Sequence, residues 1–538
     1  MAAIVTSNFR VLNANNFKED VSNNAVYVSI GKSDVWSLTT SDTTDTTPFT
    51  PNDHLDDLGE ARSNMMGLKK IASADLSHVV DRYTWTSGNS YFAWDSDDGS
   101  IFDKAFYILT SEFKVYKCIK AGGGASSIQP TQTLTDPQAE SDGYTWKYMF
   151  TISTADSEKF LTNSYMPVKT ISLGAEATVA GAVTSSTSVT IASANLDILV
   201  GMTAAGTGVS STAAHNVVSS ISGNVLTFAG NQTLSNNTVL TFSFASNSDA
   251  EANLSEADYA QYLNQKASRD SSTAAGIERV EVTAGGTGYS SAPTVTITGD
   301  GSGATATATV SSGAVTAVTI TGKGTNYRVA DITFSGGGGS DAAARAVISP
   351  KEGHGVDPVS ELGGFFMSLN TKLDGNDGSD LTVGNDFRQI MLIKQPRDYN
   401  ATPLAGNLST ADTLKAMKAL DFSTTFTVPS SGGTVANFTL DELIVGQTSG
   451  AKAYVTEIDS SNGYVYYHQN SKTGYTAFAD GEEVIGGTST TNGTLESSSA
   501  VRAPEVDRQS GQVLFLENRD PINRTTTQIE DIKVILEF

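Results

Sequence analysis

The sequence predicts a mainly β protein: a discontinuous β-sandwich-like core with a few short helices and three inserted all-β modules. Three observations carry this. Charged residues make up 17% of the chain and hydrophobic residues 39%, with Gly, Ser, Thr, Asn and Ala taking up the balance. That composition suits turn-rich β structure better than a helical enzyme. Short apolar runs bounded by turn residues recur along most of the length. The final stretch alternates, with Ile532, Val534, Leu536 and Phe538 on one face and Lys533, Ile535 and Glu537 on the other. A chain end frays unless a sheet holds it, so this strand predicts a C-terminus paired into a core made of earlier strands.

At 538 residues the chain exceeds what one hydrophobic core serves. Residues 1–170 are read as the first part of the core. Ile4-Val5 and Val26–Ile30 are strand candidates. Between Asp53 and Val80, Leu55, Leu58, Met65, Met66 and Leu68 recur at helical spacing, interrupted by Gly59 and Gly67. Phe106–Ile119 reads as strand, and Tyr144–Phe150 as an aromatic-rich strand entered from Asp142-Gly143. Residues 171–248 form an all-β insert, with short strands near Ser188–Ile191, Val217-Val218, Asn224–Phe228 and Thr238–Phe244. Over 249–275 a helical linker is expected, with Leu254, Ala257, Tyr259 and Leu263 on one face.

Residues 276–348 hold a Gly-rich repeat in two copies. Val282–Tyr289 realigns on Ile320–Tyr327, 38 residues on. The core resumes over 349–422, with the polar segment Pro350–Pro358, a strand at Asp386–Lys394, and a short helix over Thr410–Phe422 capped by Thr410. A third all-β insert, 423–499, contains Glu442–Gly446, Ala453–Ile458 and Glu482–Gly486 as strands. Residues 500–538 close the core. Val513–Leu516 reads as a strand buried on both faces, and Pro521 separates it from the terminal strand.

The chemistry is mostly negative. A net charge of −24 repels phosphate backbones, so no nucleic-acid partner is expected. One cysteine, Cys118, excludes an internal disulfide framework and reads as a buried apolar residue. No basic segment leads into an apolar stretch at the start, and no run is long enough for a membrane helix. His54, His78, His215, His354 and His468 lie at no zinc-ligand spacing. Asp95–Gly99 and Asp374–Asp380 resemble calcium loops, but both place glycine one position early. Their twelfth positions are Phe106 and Asn385 instead of Glu, so solvated turns are the plainer reading. The repeat glycines lack both phosphate-loop patterns and read as turn glycines. Trp36, Trp85, Trp94 and Trp146 read as core packing. No catalytic, cofactor-binding or metal-ligating residue is assigned, and no cofactor is expected.

Several segments together carry a resemblance. Ala3–Arg10 and Tyr27–Ser37 resemble the opening of the baseplate wedge protein called gene product 8 in T-even-type contractile-tailed phages. Met65-Met66-Gly67, Val80–Trp85, Val115–Cys118, Ser141–Phe150 and Phe387–Ile390 are similar to later landmarks of that family, in the same order. Ser510–Ile522 and Ile535–Phe538 are similar to its end. The resemblance covers 1–170, 349–420 and 500–538 and leaves out the three β inserts. It implies a β-rich structural subunit without catalysis, located in the virion tail baseplate and assembled in the host cytoplasm. It also implies a homodimer that contacts the other wedge proteins. Two other readings stand beside it: a virion adhesion protein whose inserts bind a host surface glycan, and a tail-associated hydrolase.

Overall fold

The computed structural model describes residues 4–37, 39–40, 44–272, 275–374, 380–400, 402, 405–429, 432–525 and 527–538. It is mainly β, with 42% strand and 14% helix. The chain divides into two compact units. One holds Met1–Glu19, Ser77–Ser368 and Ile535–Phe538, and the other Asp20–Leu76 and Leu369–Val534.

In the first unit, a four-stranded antiparallel sheet runs in the order Tyr107–Leu109, Lys114–Lys120, Thr145–Thr151, Gln138–Ala139. Both of its faces are covered. Phe106, Val115, Met149 and Phe150 join one apolar cluster, while Ile108, Tyr116, Cys118 and Trp146 join another. Double burial is why Val115 through Ile119 is buried without alternation. The end of the chain is held here as expected. The Phe538 N–H donates to the Phe365 carbonyl at 3.2 Å, and its ring lies 5.4 Å from that of Phe17.

Ala175–Ser243 builds two three-stranded sheets around one core that includes Val189, Leu226, Leu240 and Phe242. In place of one linker helix there are two, Asn247–Asn253 and Glu256–Ser271, with Ser246 and Ser255 as their N-caps. The longer helix does not bury an apolar stripe. Its buried side chains are Gln261, Tyr262, Asn264, Gln265 and Ser268. The Gln265 amide donates to the carbonyls of Ile171 at 3.0 Å and Val356 at 2.8 Å, and Asn264 donates to that of Met149 at 2.8 Å. These amides satisfy loop backbone that would otherwise be buried unpaired.

The two Gly-rich copies close into one six-stranded barrel. Ile277–Thr287, Thr294–Gly299 and Ser302–Ser311 come from the first copy, and Ala314–Thr325, Ala330–Ser335 and Ser340–Ile348 from the second. Two of the three equivalent strand pairs lie side by side, with Val280 opposite Val318 and Thr296 opposite Thr333. Each copy tucks its tyrosine under the other. A Cβ at Gly339 would lie 2.5 Å from the Tyr289 ring, and one at Gly301 would lie 2.5 Å from the Tyr327 ring.

The second unit contains a five-stranded antiparallel sheet in the order Thr413–Lys415, Met65–Lys70, Val26–Gly31, Asp386–Lys394, Gln512–Asn523. Tyr27, Met65, Leu68, Met391, Ile393 and Leu414 form a core against it. A further ladder joins Lys418–Val428, Leu443–Gly446, Lys452–Asp459, Tyr464–His468, Glu483–Gly486, Asn492–Leu495 and Val501–Arg502. Because Lys418–Val428 pairs both Tyr464–His468 and Asn492–Leu495, six of these strands run round in a ring.

Several local expectations fail for physical reasons. Ile4-Val5 is not a strand, and Ser7–Asn23 is a helix, with Val11, Ala14 and Val21 buried. The helical reading of Asp53–Val80 holds only for Leu55–Asn64. Met65–Lys70 and Leu76–Asp81 are strands, and Gly67 is needed because a Cβ there would meet the Asp380 carbonyl at 2.6 Å. Thr410–Phe422 is not a helix. Thr413–Lys415 pairs with Gly67–Lys69, and the next strand starts at Lys418, so non-local pairing overrides the local pattern. Gln512–Asn523 lies at a sheet edge, so Val513–Leu516 is only partly buried. Pro521 does not end this strand. It falls where pairing slips between Gln389–Asn518 and Phe387–Ile522, and a bulged edge needs no proline N–H.

Candidate functional site

The residues singled out in the sequence are dispersed. Among the described residues, no three His, Cys, Asp or Glu side chains are grouped to hold a metal ion. His54 is exposed and caps a helix by accepting from the Asp57 N–H. His215 sits in a 3₁₀ turn. His78 is buried, with its ring nitrogens 2.7 Å from the Gly364 carbonyl and 2.8 Å from Asn15 Oδ1. Burial, helped by Lys18, lowers its pKa to about 4 and keeps the ring neutral. Cys118 is buried, and burial raises its thiol to about 12, so it is inert as a nucleophile at neutral pH. Trp36 and Trp146 are core residues, whereas Trp85 and Trp94 are only partly buried.

The first acidic loop is a turn with Ser96, Asp97 and Gly99 exposed, but its other two aspartates are paired. Asp95 is bound by both Nη atoms of Arg345, the first at 2.8 Å, and Arg345 also pairs with Glu281. The Arg345 hydrogen bonds hold the Asp95 carboxyl below its ordinary range. Asp98 pairs with Lys104 at 2.5 Å. Most of the second loop, Asp374–Asp380, lies outside the described residues.

Two buried charge clusters were not legible in the sequence, because their members are far apart along it. In the first unit, Lys117 donates to Glu361 Oε2 at 2.8 Å and stands 4.5 Å from the Trp94 ring centre. Glu361 Oε1 accepts from the N–H groups of Gly355, Val356 and Asp357 at 2.7, 3.0 and 3.3 Å. Burial alone would raise the Glu361 carboxyl, but Lys117 and His354 together outweigh it and hold the pKa at about 2. In the second unit, Asp34 Oδ1 lies 3.2 Å from His468 Nε2 and accepts from Asn470 at 3.0 Å. Its Oδ2 takes Lys32 at 3.1 Å and Lys472 at 2.5 Å. Burial opposes ionisation of Asp34 too, yet His468 and the two lysines hold it far below the usual range. Both clusters satisfy their charges internally and bind loops to sheets, which is a structural role.

The second ring also has an internal repeat, which the sequence reading missed. Phe438–Ala451 realigns on Phe478–Thr491, 40 residues on, through Glu442/Glu482, Gly446/Gly486 and Thr448-Ser449/Thr488-Ser489. The signal is present in the sequence but short, and it carries less glycine than the other repeat. Ile444 pairs with Gly486, and Gly446 with Val484. A Cβ at Gly446 would lie 2.6 Å from Glu482 Oε1, and one at Gly486 would lie 2.6 Å from Glu442 Oε2.

On the outside, the N-terminal segment exposes Ile4, Val5, Phe9 and Leu12. Phe9 and Leu12 are three positions apart on one helix and share a face. A family model described as Bacteriophage T4, Gp8 matches residues 3–121. Over this segment the chain is similar to the Gp8 family. The match takes in the landmarks from Ala3–Arg10 to Val115–Cys118, and it supports a structural role in a phage baseplate. The matched segment includes the exposed N-terminal side chains, the Val26–Gly31 and Met65–Lys70 strands, and the doubly buried Lys114–Lys120 strand. No curated protein matches the chain. Among the described residues, no helix is long and apolar enough to cross a membrane.

Proposed function

We propose that the chain is a structural subunit of the baseplate wedge of a contractile phage tail, holding neighbouring wedge proteins in register without catalysis. The Gp8 match over residues 3–121 carries this reading. The exposed Ile4, Val5, Phe9 and Leu12 support it, because apolar side chains clustered on a surface mark contact sites. The partners are other wedge proteins and a second copy of the chain. Residues 171–248, 276–348 and 423–499 are peripheral modules on a core made from 1–170, 349–422 and 500–538, and 249–275 connects two of them. A net charge of −24 opposes self-association, so a dimer must rest on apolar area and must persist or tighten as salt rises. Sedimentation at low and high salt measures this, and dissociation in high salt would refute it. The role itself is tested by negative-stain microscopy of virions labelled with antibody to this chain. Label on the baseplate body is the expected result, and label on fibre tips would overturn it.

A further inference from the structure

The polar segment Pro350–Pro358 helps to line, through Gly353 and His354, a solvent-open cavity of about 260 Å³ in the first unit. Two buried side chains on its lining carry polar atoms without a hydrogen-bond partner, and a third, Lys147, makes a single hydrogen bond. Ser268, 5% exposed, has an Oγ with no hydrogen-bond partner, and His354, 9% exposed, has two such ring nitrogens. Lys147 is 2% exposed, and its Nζ donates to the Tyr148 carbonyl at 2.9 Å. An ammonium has three N–H donors, and among the described residues no carboxylate forms an ion pair with this one.

The other cations around it are matched. Lys117 pairs with Glu361, and Lys323, on the cavity lining, pairs with Glu278, each at 2.8 Å. Lys147 is therefore a buried cation with no carboxylate in direct contact, its charge offset only at longer range by Glu361 and Asp136. Burial lowers its pKa to about 8, so it is still mostly protonated at neutral pH. His354, lowered to about 4 by burial, is neutral and adds no charge. Asp136 also lies on the lining but is exposed to solvent. Two glycines hold the segment down. A Cβ at Gly355 would lie 2.9 Å from Lys147 Cε, and one at Gly353 would lie 2.6 Å from Ser272 Cβ. Both have positive φ, at +89° and +99°, which other residues rarely adopt.

We propose that this cavity binds a small oxyanion, a carboxylate or inorganic phosphate, whose oxygens accept from the Lys147 ammonium and the Ser268 hydroxyl. One cation free of direct carboxylate contact, on a lining that also holds Glu278 and Asp136, favours a monoanion over a more highly charged ligand. The space holds several water molecules' worth of ligand, at about 30 Å³ each, so it is more than a single-water site. This site is independent of the wedge assignment and would stand if that assignment fell.

The test is thermal unfolding of the full chain in chloride, acetate and phosphate at equal ionic strength, with titration calorimetry of acetate and phosphate. The expected result is a saturable rise in Tm with one site per chain. Lys147→Met abolishes the rise, and Ser268→Ala moves its midpoint to about five-fold higher concentration, the loss of one hydrogen bond. Saturation at lower acetate than phosphate assigns a carboxylate ligand, and the reverse assigns phosphate. A Tm that follows ionic strength alone overturns the proposal, as does an undiminished response in Lys147→Met. Should that variant fail to fold, an unshifted midpoint in Ser268→Ala overturns it equally.

Discussion

Glu442 and Glu482 each close the turn that belongs to the other. Glu482 accepts from the N–H groups of Thr448 and Ser449 at 3.0 and 2.8 Å and from the Ser449 hydroxyl at 2.7 Å. Glu442 accepts from Thr488 and Ser489, each at 2.9 Å, and from the Ser489 hydroxyl at 2.7 Å. Each carboxylate also ties its own approach, Glu442 through the Thr439 N–H and Glu482 through the Ala479 N–H, both at 2.7 Å. Hydrogen bonds to a buried charge contribute about 1.5–3 kcal/mol. Glu442→Gln and Glu482→Gln should each cost about 2 kcal/mol in urea unfolding, whereas Glu483→Gln, exposed on the same strand, should change stability by less than about 0.5 kcal/mol.

The same carboxylate sets a pH dependence. Burial would raise the Glu482 pKa, but the Ser449 and Ala479 donors more than offset it, so the folded value lies below the ordinary 4.5. A depressed carboxylate contributes stability above its unfolded pKa and loses it as pH falls through the folded one. Unfolding measured from pH 6 down to pH 3 should show the Glu482→Gln variant losing less stability on acidification than the parent. Parallel curves would mean the carboxylate is not preferentially stabilised.

Thr490 has φ +56° at the position where the other copy has Gly450 at +69°. Both donate their N–H to the residue four positions back, at 3.1 Å. A β-branched residue in this region is strained by about 1 kcal/mol or more. Thr490→Gly should therefore stabilise the ring by about 1 kcal/mol, and Gly450→Thr should destabilise it by a similar amount. Equal midpoints for all three proteins in denaturant would contradict the symmetry argument.

In the Gly-rich barrel the same logic is steric. Gly339→Ala drives a methyl into the Tyr289 ring, where a Cβ would stand 2.5 Å away. Overpacking of this kind costs about 1–3 kcal/mol. In a double-mutant cycle, Tyr289→Ala should relieve part of that cost. Strict additivity of the two changes would show that the ring can move aside.

His78 titrates in the opposite sense to a surface histidine. Burial lowers its folded pKa to about 4 from the ordinary 6.5. The unfolded chain thus takes up the proton first, and stability falls as pH drops from about 6.5 to about 4. A shift of this size corresponds to about 3 kcal/mol at most. His78→Gln should flatten that part of the pH profile, and an NMR titration should place the ring's midpoint near 4 instead of above 6.

The sequence reading succeeded where the signal is local and repeated. The terminal alternation ends with Ile532 and Val534 buried, Val26–Gly31 and Asp386–Lys394 are strands, and the 38-residue repeat marks the two halves of one barrel. It failed where distant pairing decides the outcome. Nothing near Thr413 announces its strand, because the partner is Lys69. Ser7–Asn23 was missed because its apolar residues are split between a buried side and an exposed one. The charge clusters could not be read at all, since Lys117 and Glu361, or Asp34 and His468, meet only through folding.

The reciprocal closures in the two repeat-built rings have a consequence beyond a single molecule. Tyr289 fits the glycine of the other copy, and Glu442 fits the turn of the other copy, so each half carries the complement of its sibling. A half that opens from one chain finds the same complement on any second chain, and exchanging halves costs no contact that the closed form makes. At the high local concentration of an assembling particle, these rings are therefore the places where two chains can trade segments and become interlocked.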